Sequence, residues 1–516
     1  MKNSVSYRKE KIKGYLKKMW YLSTRDEKIR KTPSEAILNG IADDGGLYMP
    51  ERFTSAQFPM EKLEKMTSKD ISATVLSLLF SGDSLFSDDE DKYMEFWKAV
   101  SRAYDGKFEN GDFAPLSKVG KAYVMELYHG PTCAFKDVAL QLLPQLIVGA
   151  KRANGITDDI IILTATSGDT GSAALCGFSD VEGIKIIVFY PKNGISAVQE
   201  KQMITCNGKN TCVCSVAGNF DDAQSGVKNI FANMKVPRGV RLSSANSINI
   251  GRLAPQVAYY FKAYRDLLRN GEIKMGDKVN FVVPTGNFGD ILAGYFAKQM
   301  GLHVGKLVCA SNENKVLTDF FESGVYNKKR AFHITKSPSM DILISSNLER
   351  LLYLICGPGK CAEYMKKLAT DGEYRLNASE LAKIRETFDA GYATDDETLK
   401  TIREVYEKYN YLIDTHTAVA WSVYEKWGGE EKEKYKTVVL STASAYKFSS
   451  SVMNALGKPY NDEFDAIDKL NSYTGVRVPA ALDGIRDKKV IHYNTVEKDN
   501  MLDFVLDMAN KEIWNK

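Results

Sequence analysis

The chain has 516 residues, 44% apolar and 26% charged, with a net charge of +4. This is the make-up of a globular protein of about two to four domains. Seven Lys or Arg residues and one Glu fall in the first eighteen positions, so the remainder sits near −2, which excludes the basic footprint of a nucleic-acid or acidic-membrane binder.

The eight cysteines form no Cys-x-x-Cys pair and the five histidines are scattered. That argues against a zinc site and against a disulfide framework. Reduced thiols and a cytoplasmic location are the expectation. Lys2 to Lys18 lacks the apolar segment of a secretory signal, and residues 1–18 read as a disordered basic extension with no catalytic part. No apolar run reaches the roughly 18 residues that a membrane span needs.

Residues 19–110 read as a mostly helical N-terminal domain. Tyr21 to Arg25 suggests a strand, and Gly40 to Pro50 a turn cluster with Gly45 and Gly46 adjacent. Ile71, Val75, Leu76, Leu78 and Leu79 follow helical spacing. Asp83 and the run Asp88 to Asp91 read as a solvated acidic face.

From residue 121 strand and helix patterns alternate, which predicts α/β architecture with parallel strands. Predicted strands are 123–128, 160–166, 184–189, 211–216, 278–284, 305–310 and 437–441. Helices are predicted from Val138, at 172–175, 197–203, 221–234 and 291–300, and residues 345–435 are helix-rich. The block 156–261 fits a small open-sheet domain, and 111–155 with 262–516 a larger one.

Several turns between a strand and a helix carry chemistry. Lys136 lies in His129-Gly130-Pro131-Thr132-Cys133-Ala134-Phe135-Lys136-Asp137, with apolar residues on both sides. Desolvating an ammonium there lowers its pKa and makes a Schiff-base nucleophile; the plain alternative is a lysine that snorkels from a helix end. Ser167-Gly168-Asp169-Thr170-Gly171 offers hydroxyls and helix-start amides to a carboxylate, or is simply a helix cap. Gly286-Asn287-Phe288-Gly289-Asp290 lets backbone approach an anion. It is neither a dinucleotide Gly-x-Gly-x-x-Gly nor a P-loop. Asp290 is awkward beside a phosphate: either backbone amides bind and it points away, or it meets a cation. Arg252, in Asn246-Ser247-Ile248-Asn249-Ile250-Gly251-Arg252, suits phosphate; alone it reads as a surface ion pair.

The run His129 to Gln141 resembles the cofactor-lysine motif of threonine synthases, a Pro-Thr-x-x-Phe-Lys-Asp core. Asp44-Gly45-Gly46-Leu47-Tyr48-Met49-Pro50 is similar to the opening of the longer members, and the matching pieces run in the family's order from Met19 to Phe448. The resemblance implies the tryptophan-synthase-β-like pyridoxal-phosphate fold: two open-sheet α/β domains with the cofactor between them. It implies pyridoxal 5'-phosphate held by Lys136, its phosphate by Gly286, Asn287, Phe288, Gly289 and Asp290, its pyridine nitrogen by Thr442 and its hydroxyl side by Asp169. Ser167, Gly168 and Thr170 would grip the substrate carboxylate. Asn249, Arg252 and, less directly, Lys192 would meet its phosphate. The implied reaction is O-phospho-L-homoserine plus water giving L-threonine and phosphate, by a monomer or homodimer using neither nucleic acid nor a membrane. A serine or threonine dehydratase of the same fold and a non-catalytic relative are the alternatives. Two departures stand out: Ser444-Ala445-Tyr446 where the family has His-Pro-Ala, and Thr415 where it has Pro.

Overall fold

The computed structural model describes residues 18–53, 56–83, 85 and 90–511. The expected basic extension, up to residue 17, lies outside the described residues, as do Asp88, Asp89 and the side chains of Glu90 and Asp91.

Strands β1 (Tyr21–Ser23), β2 (Arg30–Lys31) and β3 (Tyr48–Pro50) form a small antiparallel sheet, order β2-β1-β3. Capping boxes start the helices that follow: Thr32 with Glu35 for Pro33–Asn39, and Thr67 with Asp70 for Ser68–Leu79. The N-terminal part is therefore helical around a short sheet. Asp83 corrects the sequence reading. It is buried, and its Oδ2 accepts from the Ser34 backbone and hydroxyl, both at 3.0 Å. A carboxylate at a helix N-terminus satisfies open amides and meets the positive end of the dipole.

Beyond the N-terminal part β4 (Leu116–Val119) and β5 (Ala122–Glu126) open a large sheet, and helix α1 (Lys136–Ala153) follows. Next come β6 (Asp159–Ala165), helix α2 (Asp169–Phe178), β7 (Ile184–Pro191), β8 (Thr211–Ala217) and β9 (Val240–Ser244). The chain then returns through β10 (Val279–Pro284), helix α3 (Gly289–Gln299), β11 (Val304–Ser311), the pair β12 (Val325–Asn327) and β13 (Glu373–Arg375), β14 (Phe388–Tyr392) and β15 (Lys436–Ser441). The large sheet has the order β14-β11-β10-β15-β5-β4, parallel throughout except for β4 against β5. Its inner strands are mostly apolar and buried, as expected for parallel strands covered on both faces; all six residues of β10 are buried.

The smaller sheet is entirely parallel, order β16-β8-β7-β6-β9. Its edge is β16 (Asn494–Glu497), paired with Cys214 to Ala217 of β8. The helix Met501–Ala509 packs Met501, Val505 and Met508 against Cys212, Cys214 and Ile230. The C-terminal segment thus joins the small domain, where sequence boundaries placed all of 262–516 in the large one. A four-residue polar edge strand carries no hydrophobic pattern from which to read it.

The turns singled out above all follow strand C-terminal ends: β5, β6, β9, β10 and β15. In open parallel sheets ligands bind at that edge.

Candidate active site

The loops after β5 and β15 are zipped together. The amide of Phe135 donates to the Thr442 carbonyl at 2.8 Å, and that of Ser444 to the Cys133 carbonyl at 3.0 Å. Thr132 closes the lysine loop through its amide and hydroxyl, which donate to Asp137 at 2.9 and 2.7 Å. A side chain at Gly130 would lie 2.6 Å from Asp137, so the turn needs glycine. Burial pushes the Asp137 carboxyl up to about 6. This loop places Lys136 at the start of α1 with only 10% of its side chain exposed.

The Lys136 Nζ is 3.3 Å from Asp169 Oδ2 and 4.7 Å from the centre of the Phe135 ring. Burial lowers its pKa; Arg252 and Lys447 push the same way and Asp169 opposes. Asp169 Oδ1 accepts from Lys447 Nζ at 2.9 Å and from Gln199 Nε2 at 2.9 Å. Burial raises this carboxyl, but the Lys447 ammonium, then Lys136 and His416, hold it well below the usual carboxylate range.

The turn before α2 is shaped by Thr166, whose hydroxyl oxygen accepts from the amides of Gly168 and Gly171, both at 2.9 Å. Gly168 has φ 130°, and a Cβ there would fall 2.5 Å from Gln199. Ser167 and Thr170 are half-buried, and among the described residues their hydroxyls carry no protein partner.

In the loop from Gly286 to Asp290, Phe288 takes a left-handed φ of 61° at the cap of α3. Its ring packs on Phe388, 5.7 Å away. Among the described residues the amides of Gly286, Asn287, Phe288 and Gly289 donate to no backbone carbonyl, the donor set a phosphate requires. Asp290 turns away: its Oδ1 accepts from Tyr259 at 2.5 Å and Tyr260 at 2.9 Å, and its Oδ2 is buried without a partner. Burial raises its carboxyl to about 6. Of the two alternatives for Asp290, pointing away is the one found.

Arg252 and Asn249 separate. Arg252 is buried, donates to the Ala245 carbonyl at 2.8 Å, and leaves Nε unpartnered. Asn249 caps the short helix Ile250–Leu253, accepting from the Gly251 amide, while its Nδ2 donates to the Ile37 and Ser244 carbonyls at 2.9 and 3.3 Å. Both amide hydrogens are spent on the protein, so the expected phosphate contact is corrected to a strut for the Arg252 loop. Asn347 bridges this loop and the glycine loop through Ser247 at 3.3 Å and the Asn287 carbonyl at 3.0 Å. The buried Arg350 fixes Asn347 and reaches Tyr48 of β3. Lys192 is not gathered in: its side chain is exposed and enters no hydrogen bond or ion pair among the described residues. Thr442 is buried at the end of β15, its hydroxyl without a protein partner among the described residues.

Ser444 caps the turn Ala445–Phe448. Thr415 occupies the first helical position after the Asp414 cap, where proline is favoured but not needed. Sequence reasoning missed Thr166, Asn347, Arg350 and Lys447, and gave Gln199 no role.

A lysine whose pKa is lowered, a glycine loop with open amides, a threonine hydroxyl free of protein partners and an arginine without a carboxylate partner among the described residues come together at the turns that follow the strand C-terminal ends. These residues fit pyridoxal phosphate: the loop amides suit its phosphate, the Thr442 hydroxyl its ring nitrogen and Lys136 its carbonyl carbon. The fold and site define a pyridoxal-phosphate-dependent enzyme. Residues 113–443 match the family model of pyridoxal-phosphate dependent enzymes, 20–96 the threonine synthase N terminus and 417–498 the threonine synthase C-terminal model. The threonine synthase of Schizosaccharomyces pombe is 36% identical over 502 residues, covering 91% of this chain and 94% of that one. The threonine synthase of Pseudomonas aeruginosa is 38% identical, covering 85% and 90%. A crystal structure of threonine synthase from Brucella melitensis with bound pyridoxal phosphate superposes with a TM-score of 0.83 at 35% identity, covering 96% of this chain and all of that one. The chain belongs to the threonine synthase family, and its cofactor is pyridoxal 5'-phosphate.

Proposed function

We propose that this protein converts O-phospho-L-homoserine and water to L-threonine and phosphate, as a cytoplasmic monomer or homodimer that uses neither nucleic acid nor a membrane. The observation that carries the reading is the buried Arg252, a cation without a carboxylate partner among the described residues, electrostatically coupled to Lys136. A substrate with a phosphate leaving group supplies the anion that this guanidinium lacks.

Bound here, the cofactor supplies an electron sink for negative charge at the substrate α-carbon. Lys136 holds it covalently. The unprotonated Lys136 amine would accept the α-proton, and its reach would let it return and remove protons at the neighbouring carbon. Ser167, Thr170 and the amides of Asp169 and Thr170 at the start of α2, which among the described residues donate to no backbone carbonyl, orient the substrate carboxylate; the Gly168 amide is spent on Thr166. Arg252 draws the phosphate toward the glycine-loop side of the cleft and stabilises it as it leaves the γ-carbon. Water then adds at the β-carbon. Among the described residues no helix is long and apolar enough to cross a membrane, and no cluster of His, Cys, Asp or Glu is suited to a metal.

The test is product analysis with purified protein, pyridoxal phosphate and O-phospho-L-homoserine. Threonine and phosphate in equal amounts support the reading. Ammonia from serine or threonine, with no phosphate release, supports a dehydratase instead.

A further inference from the structure

Asp169 faces two lysines. Lys447, its side chain fully enclosed, donates to Oδ1 at 2.9 Å and to the Thr132 carbonyl at 2.9 Å. Lys136 stands farther off, 3.3 Å from Oδ2, which Ser339 Oγ also approaches at 3.4 Å. Two ammonium groups buried against one carboxylate repel each other, and the better bonded one keeps its proton at lower cost.

We infer that Lys447 is the standing cation partner of Asp169, and that by satisfying this carboxylate it leaves the Lys136 amine unprotonated and ready to take the cofactor. The inference rests on the assignment of Lys136 as cofactor lysine. Lys447 is thus a positioning residue, acting through Asp169. It acts through the backbone too, because the Thr132 carbonyl it holds belongs to the loop that delivers Lys136.

The surroundings agree. The groups that face Lys136 are Asp169, Arg252, Lys447, Asp290 and the Phe135 ring. Besides burial, the two cations Arg252 and Lys447 lower the Lys136 pKa. Asp169 is held ionised by Lys447 ahead of Lys136. Lys447 is fixed in place: Ser444 Oγ accepts from the Tyr446 amide at 3.3 Å, and the Tyr446 hydroxyl donates to the Val476 carbonyl. The segment that departs from the family pattern is therefore the one that carries this lysine inward. Without the Lys447 charge, Lys136 is the nearer of the two cationic groups left to Asp169, the other being His416, and a carboxylate at such range raises the pKa of an amine by about one or more.

The experiment uses cofactor-free native protein, Lys447→Met, and Lys447→Met with Asp169→Asn, each mixed with pyridoxal phosphate across the pH range. The lysine amine adds to the aldehyde carbon, water leaves, and borohydride reduces the C=N bond to a stable secondary amine. Peptide mass locates the label, and the attachment rate is plotted against pH. Lys447→Met is expected to move the midpoint up by about one pH unit or more, which slows attachment at neutral pH about tenfold. Adding Asp169→Asn returns the midpoint toward the native one. If circular dichroism shows that Lys447→Met does not fold, Lys447→Gln, which keeps a donor for Thr132, is read the same way. A native midpoint retained without the Lys447 charge overturns the inference alone. Label on a lysine other than Lys136 in the native protein overturns it together with the cofactor-lysine assignment.

Discussion

Arg252→Met removes one buried charge while keeping most of the side-chain volume. Burial pulls the guanidinium down to about 10, a desolvation cost on the order of 3 kcal/mol at roughly 1.4 kcal/mol per tenfold change in proton affinity. The substitution lifts that cost and forfeits the charge-assisted bond to the Ala245 carbonyl, worth roughly 1.5–3 kcal/mol. The two nearly offset, so the melting temperature is expected to move by no more than a few degrees. The substrate phosphate, in contrast, loses a charge-assisted contact of about the same strength with nothing in return. That predicts a fall of about tenfold to a hundredfold in kcat/KM for O-phosphohomoserine. Phosphate release measures the first quantity and thermal denaturation the second. A variant with native kcat/KM and a melting point lowered by many degrees would make Arg252 a structural cation and refute the reasoning.

Lys136→Ala should abolish turnover and the absorbance of attached cofactor while circular dichroism remains native; retained turnover sinks the assignment. At Gly286 an added Cβ would lie 2.9 Å from the Ser339 carbonyl oxygen and 3.1 Å from Met340 Cα, backbone that cannot swing aside, so Gly286→Ala should weaken cofactor affinity about tenfold by titration. Gly289→Ala meets Asn347 Nδ2 at 3.5 Å and Ser247 Cβ at 3.8 Å, both ordinary contacts, so it should melt like the native protein yet bind cofactor less well; native affinity would mean that this turn holds no phosphate. The raised carboxyl of Asp290, about 6, binds its proton more tightly folded than unfolded. Its favourable contribution is complete below about pH 4 and is lost as pH rises through about 6. Asp290→Asn keeps a partner for the two tyrosine hydroxyls and should raise the melting point at pH 7.5 relative to native, with little difference at pH 4. An equal effect at both values contradicts the titration.

How far the site could be read from sequence depended on where its determinants lie along the chain. Lys136, the Gly286 to Asp290 turn and the Ser167 to Gly171 turn announce themselves because each is a short contiguous stretch between a strand and a helix, and both sheets follow from buried parallel runs. The direction of Asp290 was not legible: Tyr259 and Tyr260 sit thirty residues away, and only packing brings their hydroxyls to the carboxylate. Asn249 misled because a capping amide and a ligand amide look alike in sequence. Asp83 misled because an acidic residue in a polar stretch gives no sign that it caps a helix from a distance. The return of β16 to the small sheet was hidden by its length and polarity. Lys447 directly follows the segment that departs from the family pattern, but its meaning comes from sharing Asp169 with Lys136, a long-range contact that no spacing encodes.

The most direct test of the account is to run the reaction in heavy-oxygen water and locate the label by mass spectrometry. The account predicts one labelled oxygen in the hydroxyl of threonine and none in the released phosphate, since the carbon–oxygen bond breaks at the γ-carbon and water adds at the β-carbon. Label in phosphate, with homoserine as the product, would mean hydrolysis at phosphorus and would contradict it.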